Sequence, residues 1–465
     1  MFVYPINLVR IYYLFVLLSF LYILIKSKFK KDGLYLILIF WQGLFSYFNY
    51  EMQEIGFSFN IDNLYKIIIF IYSIFLFFPF VLKKGNNNDI LVNLSFGLFS
   101  VVFWISYLLN GGNLITALSQ YFYRYSILFL IYHGYKGLYK DNYKYKYIIN
   151  LVINIIFIQV ILSIIKLFIF LPLSIKTGMN IEFIVGSLSS MGAGIAVVLP
   201  IIALIFYWAF KGQDFKSKDY LYAFSFLIIS LASWKRSTIF WFPFILLLLQ
   251  LYTKYKINII TLIRFLPLVF IIIYFGVRIN PAINPEHKWW GSFDFQYLKN
   301  YILEYNFGVS DISSLFSKTY QKTQRGGSFL LLFNPSKMDL DSPDKLLFGH
   351  GIIDVVTLKY GRFVGSAEDE FSGYDLEHEG LIGKATNFCY SIGYLGFLSI
   401  LFFSLSILAI INNKRLRYII LLYYFWELFF YGGFFILLPQ TMIIFMLVYI
   451  LVYINNKQSS IIKYE

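Results

Sequence analysis

The chain has 465 residues, of which 59% are hydrophobic and only 14% charged, and its mean hydropathy is +0.68. A water-soluble chain of this length carries about a quarter charged residues and needs no long uninterrupted apolar blocks, so a soluble enzyme is excluded. The net charge of +14 would suit nucleic acid, but the cations fall on one set of loops, which makes the charge a topology signal and leaves no nucleic-acid partner.

The N-terminus lacks the basic start and small-residue cleavage site of a signal peptide, so its apolar run reads as a first membrane helix. A crossing helix needs about 20 mostly apolar residues. Runs that fit or nearly fit lie at 5–25, 33–50, 64–82, 90–109, 114–133, 147–171, 192–210, 219–234, 237–252, 257–279, 386–411, 417–433 and 435–454. The expected fold is all-α: a polytopic membrane bundle of about 11–14 helices with one large external loop of short helices. Three segments follow: N-terminal spans over 1–279, a large loop over 280–385, and C-terminal spans over 386–465.

Alternate connections separate cleanly by charge. KSKFKKD, KKGNNND, GYKGLYKDNYKYK, KGQDFKSKD, TKYK, NNKRLR and the C-terminal tail hold twenty basic residues. The opposite connections (EMQEIGFSFNID, NGGN, PLSIKTGMNIEFIVGSLSSMG, SWKRST and the turn near Tyr431) hold three: Lys176, Lys235 and Arg236. Basic loops stay in the cytoplasm, so the C-terminus is expected there and the 280–385 loop outside. Within that loop, FDFQYLKNYILEY (293–305) spaces Phe293, Tyr297, Leu298, Tyr301, Ile302 and Tyr305 as an amphipathic surface helix. Ser310 is placed to cap a second short helix.

Few residues offer metal chemistry. Cys389 is the only cysteine and the histidines number four (His133, His287, His350, His378), so neither a cysteine site nor a multi-histidine centre is expected. "MDLD" (Asp339, Asp341) imitates the paired carboxylates with which nucleotide-sugar transferases hold a divalent ion. Nucleotide sugars are not found outside the cytoplasmic membrane, so that likeness is read as chance and no cofactor is assigned.

The external side instead collects cations: Lys235 and Arg236, Arg278, Arg325 in QRGGSFLLLF, and Arg362. Guanidinium groups keep their charge and donate in a planar fork that matches phosphate oxygens. The plainer reading of Lys235–Arg236 is an interfacial turn meeting anionic lipid headgroups. The scarcity of cations on this side favours a ligand. His378, flanked by Glu377 and Glu379, has the surroundings of a general base toward a sugar hydroxyl, or of an acidic solvated loop. His350 stands between glycines in "FGHG", which let backbone approach a ligand closely or make a tight turn. Arg124, in the polar run 114–133, is an ionisable group within a span, a functional candidate or a snorkelling interfacial arginine. His133 lies at the cytoplasmic end of that run, and Glu427 sits inside a late helix with its role open.

With these residues in place the chain resembles the bacterial O-antigen polymerases and the superfamily they form with the O-antigen ligases. The resemblance rests on a many-helix chain with one large external loop in its C-terminal third, and on a helix pair joined by "SWKRST". It rests also on Arg325 ahead of "LLFGHG", similar to the family's Phe-Gly-x-Gly stretch, and on His378 running into "YSIGYLGFL", similar to its Gly-x-x-Gly opening of the next helix. Ligase-like members often carry His-Asn where this chain has His378-Glu379, which leans away from the ligase.

The resemblance implies a metal-independent glycosyltransferase of the bacterial inner membrane that builds O-antigen lipopolysaccharide or another surface polysaccharide. A growing glycan on undecaprenyl diphosphate would pass to a hydroxyl of the next lipid-linked oligosaccharide on the periplasmic face. It implies that Arg236 and Arg325, with Arg278 or Arg124 and aided by Lys235, hold the diphosphate. His378, with Glu379 or Glu377, would orient or deprotonate the acceptor; His350 and Arg362 are further substrate-binding candidates. Membrane lipid and a chain-length regulator are the expected partners. The alternatives are a ligase acting on a lipid A core, and a flippase for lipid-linked oligosaccharides. A flippase would line a central cavity with cations and has no use for a 280–385 loop.

Overall fold

A computed structural model describes residues 5–56, 61–82, 87–112, 114–139, 142–177, 259–281, 283–307, 335–351, 384–409 and 414–430, together with short stretches and single residues between them. The described residues are helical, with no strand among them. Among the described residues four helices are long and apolar enough to cross a membrane: Ile6–Lys26, Asp89–Asn110, Tyr147–Leu173 and Ala385–Leu408. The runs Ile67–Val81, Leu266–Ile279 and Leu416–Trp426 are apolar but shorter. Most of the expected spans at 192–210, 219–234, 237–252 and 435–454 lies outside the described residues, as does Ser310.

The chain divides into two compact units. The first comprises Met1–Lys83, Leu130–Phe293 and Gln440–Glu465; the second comprises Lys84–Phe129 and Asp294–Pro439. The segment past Phe293 therefore groups with Lys84–Phe129 and with the helices that follow it, and not with the helix Ile259–Ile279 that precedes it, a grouping that sequence order does not suggest.

The first unit contains α1 (Ile6–Lys26), α2 (Lys31–Phe40), α3 (Gln42–Glu54) and α4 (Ile61–Val81). The expected run 33–50 is not one helix. It breaks at Trp41, whose φ of −110° and ψ of 25° leave the α region. The break is held from outside. Ser187 Oγ donates to the Phe40 carbonyl at 2.8 Å, while the Gly43 amide donates to the Ser187 carbonyl at 2.9 Å. The Trp41 indole turns back to Ser19 Oγ at 3.1 Å. An irregular backbone at membrane depth survives only where its polar groups are met in this way.

In the second unit α5 (Asn87–Asn110) runs along the helix Lys384–Leu408 (α12). Val92, Phe99, Val102 and Phe103 of α5 are buried, whereas Leu94, Val101 and Leu108 are 65%, 57% and 77% exposed. Apolar side chains in a row on an outer face suit lipid as solvent and do not suit water. The expected run 114–133 divides into α6 (Leu114–Ser119), a π-helical turn (Gln120–Ser126) and α7 (Ile127–Tyr139), whose first three residues fall in this unit. The remainder of α7 and the long α8 (Asn142–Thr177) belong to the first unit, as does α9 (Ile259–Ile279).

The amphipathic spacing of 293–305 gives a helix, α10 (Phe295–Phe307), capped by the Asp294 carboxylate on the amides of Gln296 and Tyr297 at 2.8 and 3.0 Å. Leu298 is its buried anchor. After a 3₁₀ turn (Pro335–Met338), Ser342 caps α11 (Pro343–Phe348) by accepting from the Lys345 amide. α12 and α13 (Lys414–Phe430, which carries Glu427) complete the unit.

Candidate functional site

The best-defined junction joins the two glycine motifs of the second unit. α12 is interrupted one third of the way along, at Ile392 (φ −123°, ψ 15°) and Gly393 (φ 69°, ψ 178°). A helix break leaves carbonyls of the preceding turn without intrahelical donors. Two are met by the turn that ends α11: the His350 amide donates to the Tyr390 carbonyl and the Gly351 amide to the Ser391 carbonyl, each at 2.9 Å. The hydroxyl of Ser106, on α5, donates to the Phe348 carbonyl at 2.6 Å, with the Ser391 carbonyl at 3.4 Å.

Backbone meets backbone here, and only glycine permits it. A Cβ on Gly349 would lie 2.5 Å from the Ser391 carbonyl carbon and 2.6 Å from the Gly393 nitrogen. A Cβ on Gly393 would strike the Leu347 carbonyl. Gly349, Gly351 and Gly393 all have positive φ (71°, 105° and 69°), which side chains rarely adopt.

This turn fixes His350. Its Nε2 lies 3.0 Å from the Met338 carbonyl, and its ring sits on Tyr390 with centroids 4.4 Å apart. Asp339, half of the "MDLD" pair, is in an ion pair with Lys345. Tyr394, just past the break, donates to the Leu332 carbonyl at 2.7 Å. Arg124 lies in the π-helical turn of the same unit, and such turns recur at functional sites.

Arg278 ends α9 in the first unit and is engaged by the loop that follows. Its Nε donates to the Gly291 carbonyl at 2.8 Å, its own carbonyl accepts from the Gly291 amide at 2.9 Å, and Nη1 donates to Tyr274 Oη at 3.1 Å. The guanidinium lies 4.6 Å from the Trp290 ring centroid. Among the described residues no hydrogen bond engages Nη2. Asn284 pins the loop, donating to the carbonyls of Asn280 and Lys288 at 2.9 and 2.7 Å. Glu286 accepts from the Ser292 amide, and Ser292 holds its carboxyl below the usual glutamate range.

Lys235, Arg236, Arg325, Arg362, His378 and Glu379 lie outside the described residues. Of the expected site residues, the structure therefore describes the side chains of Arg278 and His350, one in each unit.

Two buried polar side chains of α8 escaped the sequence reading. Lys166 is 6% exposed, with its ammonium 5.1 Å from the Tyr12 ring centroid. Gln159 accepts from the Ser187 amide at 2.8 Å and donates to Ser187 Oγ at 2.8 Å, and Tyr12 Oη donates to the Gly186 carbonyl at 2.7 Å. A lone lysine inside the run 147–171 was the available signal. At the start of α1, Arg10 makes a two-pronged bond to Glu51 at 3.0 and 2.9 Å. Glu51 opens the EMQEIGFSFNID connection, which was expected at the external side.

Comparison of the chain with protein-family models, with curated proteins and with solved structures gives no match.

Proposed function

We propose that this chain polymerises lipid-linked oligosaccharides on the outer face of a bacterial inner membrane. The observation that carries the reading is the junction of "LLFGHG" with "YSIGYLG". The two stretches on which the resemblance rests, far apart in sequence, share one set of backbone hydrogen bonds. A topological detail agrees. Gly351 packs against Asn110, at the "NGGN" connection assigned to the external side, so the loop and that connection are expected on one face.

The donor sugar is bonded through its anomeric carbon to the lipid diphosphate. An acceptor hydroxyl of the incoming unit forms a new bond to that carbon, and the carbon–oxygen bond to diphosphate breaks. Arg236 and Arg325, with Arg278 or Arg124, stabilise the charge that grows on the leaving diphosphate, and Lys235 adds to the field. His378 with Glu379 or Glu377 orients the acceptor; Arg362 and His350 bind substrate. Large loop outside and C-terminus inside follow the distribution of cations.

The test uses purified protein and an undecaprenyl-diphosphate-linked repeat unit in detergent, with products separated by gel. A ladder of lengths, absent with Arg325→Ala and His378→Ala, is the expected result. No ladder, but movement of the same lipid across a vesicle bilayer, would replace the polymerase with a flippase.

A further inference from the structure

The turn Gly349–Gly351 does more than join two helices, because it presents an imidazole in one defined chemical state. A carbonyl oxygen only accepts, so the 3.0 Å contact between His350 Nε2 and the Met338 carbonyl requires the proton on Nε2. In the neutral ring the lone pair is then on Nδ1. Among the described residues no hydrogen bond engages Nδ1, and the side chain is part-exposed. The fold has already met its own needs at this residue, through the main-chain amide and through Nε2. What remains is a basic nitrogen held in place.

Two neighbours hold the ring in place. The Met338 carbonyl accepts the Nε2–H bond at 3.0 Å. Tyr390 lies against the ring, with centroids 4.4 Å apart. The glycines on both sides let the turn lie directly against the Ser391 and Gly393 backbone and against Asn110, which fixes the residue between them. Tyr390 is itself 2% exposed, so the platform is fixed.

We infer that His350 Nδ1 is the base that takes the proton of the acceptor hydroxyl, a role that rests on the polymerase reading above. The hydroxyl oxygen bonds to the donor's anomeric carbon as its proton passes to Nδ1. The electron pair of the breaking carbon–oxygen bond leaves with the lipid diphosphate, and the imidazolium releases its proton to water before the next addition. His378 keeps the orienting role. A positioned base of this kind contributes roughly 10²–10⁴-fold to rate.

His350→Gln separates the base from the scaffold, since the glutamine amide still reaches the Met338 carbonyl as a donor. The measurement is initial rate of polymer formation from the undecaprenyl-diphosphate-linked repeat unit, alongside thermal melting in detergent. The expected result is unchanged melting, with kcat lowered by roughly 10²-fold or more. His350→Ala should recover rate on addition of imidazole, which a packing defect would not. Wild-type enzyme that polymerises while His350→Gln keeps kcat within about threefold would overturn this role and leave the polymerase standing. Absence of polymer from the wild type would overturn both.

Discussion

The amide of Gly351 donates to the carbonyl of Ser391 at 2.9 Å, so a turn after α11 completes the hydrogen bonding of a helix broken at the next residues. This contact, with that of His350 to Tyr390, leaves no room for a side chain between the strands of backbone. Gly393→Ala should therefore be strongly destabilising: a Cβ strikes the Leu347 carbonyl, and φ of 69° adds a strain of about 1–3 kcal/mol. Thermal melting in detergent reads it. Gly97→Ala is the matched control. Nothing lies within 4 Å of a Cβ at Gly97, inside α5, so this change should be neutral or stabilise by up to about 1 kcal/mol. Equal behaviour of the two variants would count against the junction.

Ser106 ties α5 to that junction through one hydroxyl, 2.6 Å from the Phe348 carbonyl. The residue is fully buried, so Ser106→Ala leaves an acceptor without its donor where water has poor access. The expected loss is about 1–3 kcal/mol in unfolding free energy. Ser106→Thr keeps the hydroxyl and should melt closer to wild type than Ser106→Ala does. The reverse order would show that packing, not the hydrogen bond, matters at this position.

Helices were legible in this sequence, and breaks were not. Apolar run length located α1, α5, α8 and α12, and the three-and-four spacing of Leu298 with Tyr301 and Ile302 located α10. The break at Trp41 carries no local signal, because "LIFWQGLF" is as apolar as a continuous span; Ser187, distant in sequence, holds it. Gly393 was visible as part of a Gly-x-x-Gly pattern, but not as a kink, because the close approach that demands it comes from Leu347 and Gly349. Lys166 was missed, although the rule that an ionisable group in a span needs a reason points to it. Arg278 illustrates the opposite limit. Its charge was legible, whereas the engagement of two of its nitrogens by Gly291 and Tyr274 depends on how the 280–291 loop folds back.

Gln159 is the connector of the first unit. Its side-chain oxygen accepts from the Ser187 amide, and its nitrogen donates to Ser187 Oγ, which in turn caps Phe40. Gln159→Leu removes both bonds at a fully buried position. The Ser187 carbonyl then loses its fixed place opposite the Gly43 amide. Hydrogen exchange at Gly43 should accelerate by about tenfold for each 1.4 kcal/mol lost from this local structure, while exchange within α5 stays as in wild type. Unchanged exchange at Gly43 would mean that α2 and α3 hold their break without Ser187.

Glu286 makes the loop after α9 sensitive to acid. The Ser292 hydroxyl and amide favour its ionised form, so its folded pKa lies below the unfolded value, and the carboxylate supports the loop at neutral pH. For a depressed carboxylate, stability is present above the unfolded pKa and fades as pH falls through the folded one. The window is therefore below the ordinary glutamate value of about 4.3, and nothing should change between pH 5 and 8 on this account. Trp290 reports on the loop, because it is stacked on Arg278, whose Nε is bonded to Gly291 beside Ser292. Tryptophan emission, assigned by difference against Trp290→Phe, should shift as pH drops below about 4. Glu286→Gln, which cannot ionise, should show the loosened signal already at pH 7 and no further acid step. A step that persists in Glu286→Gln would assign the acid response to another carboxylate.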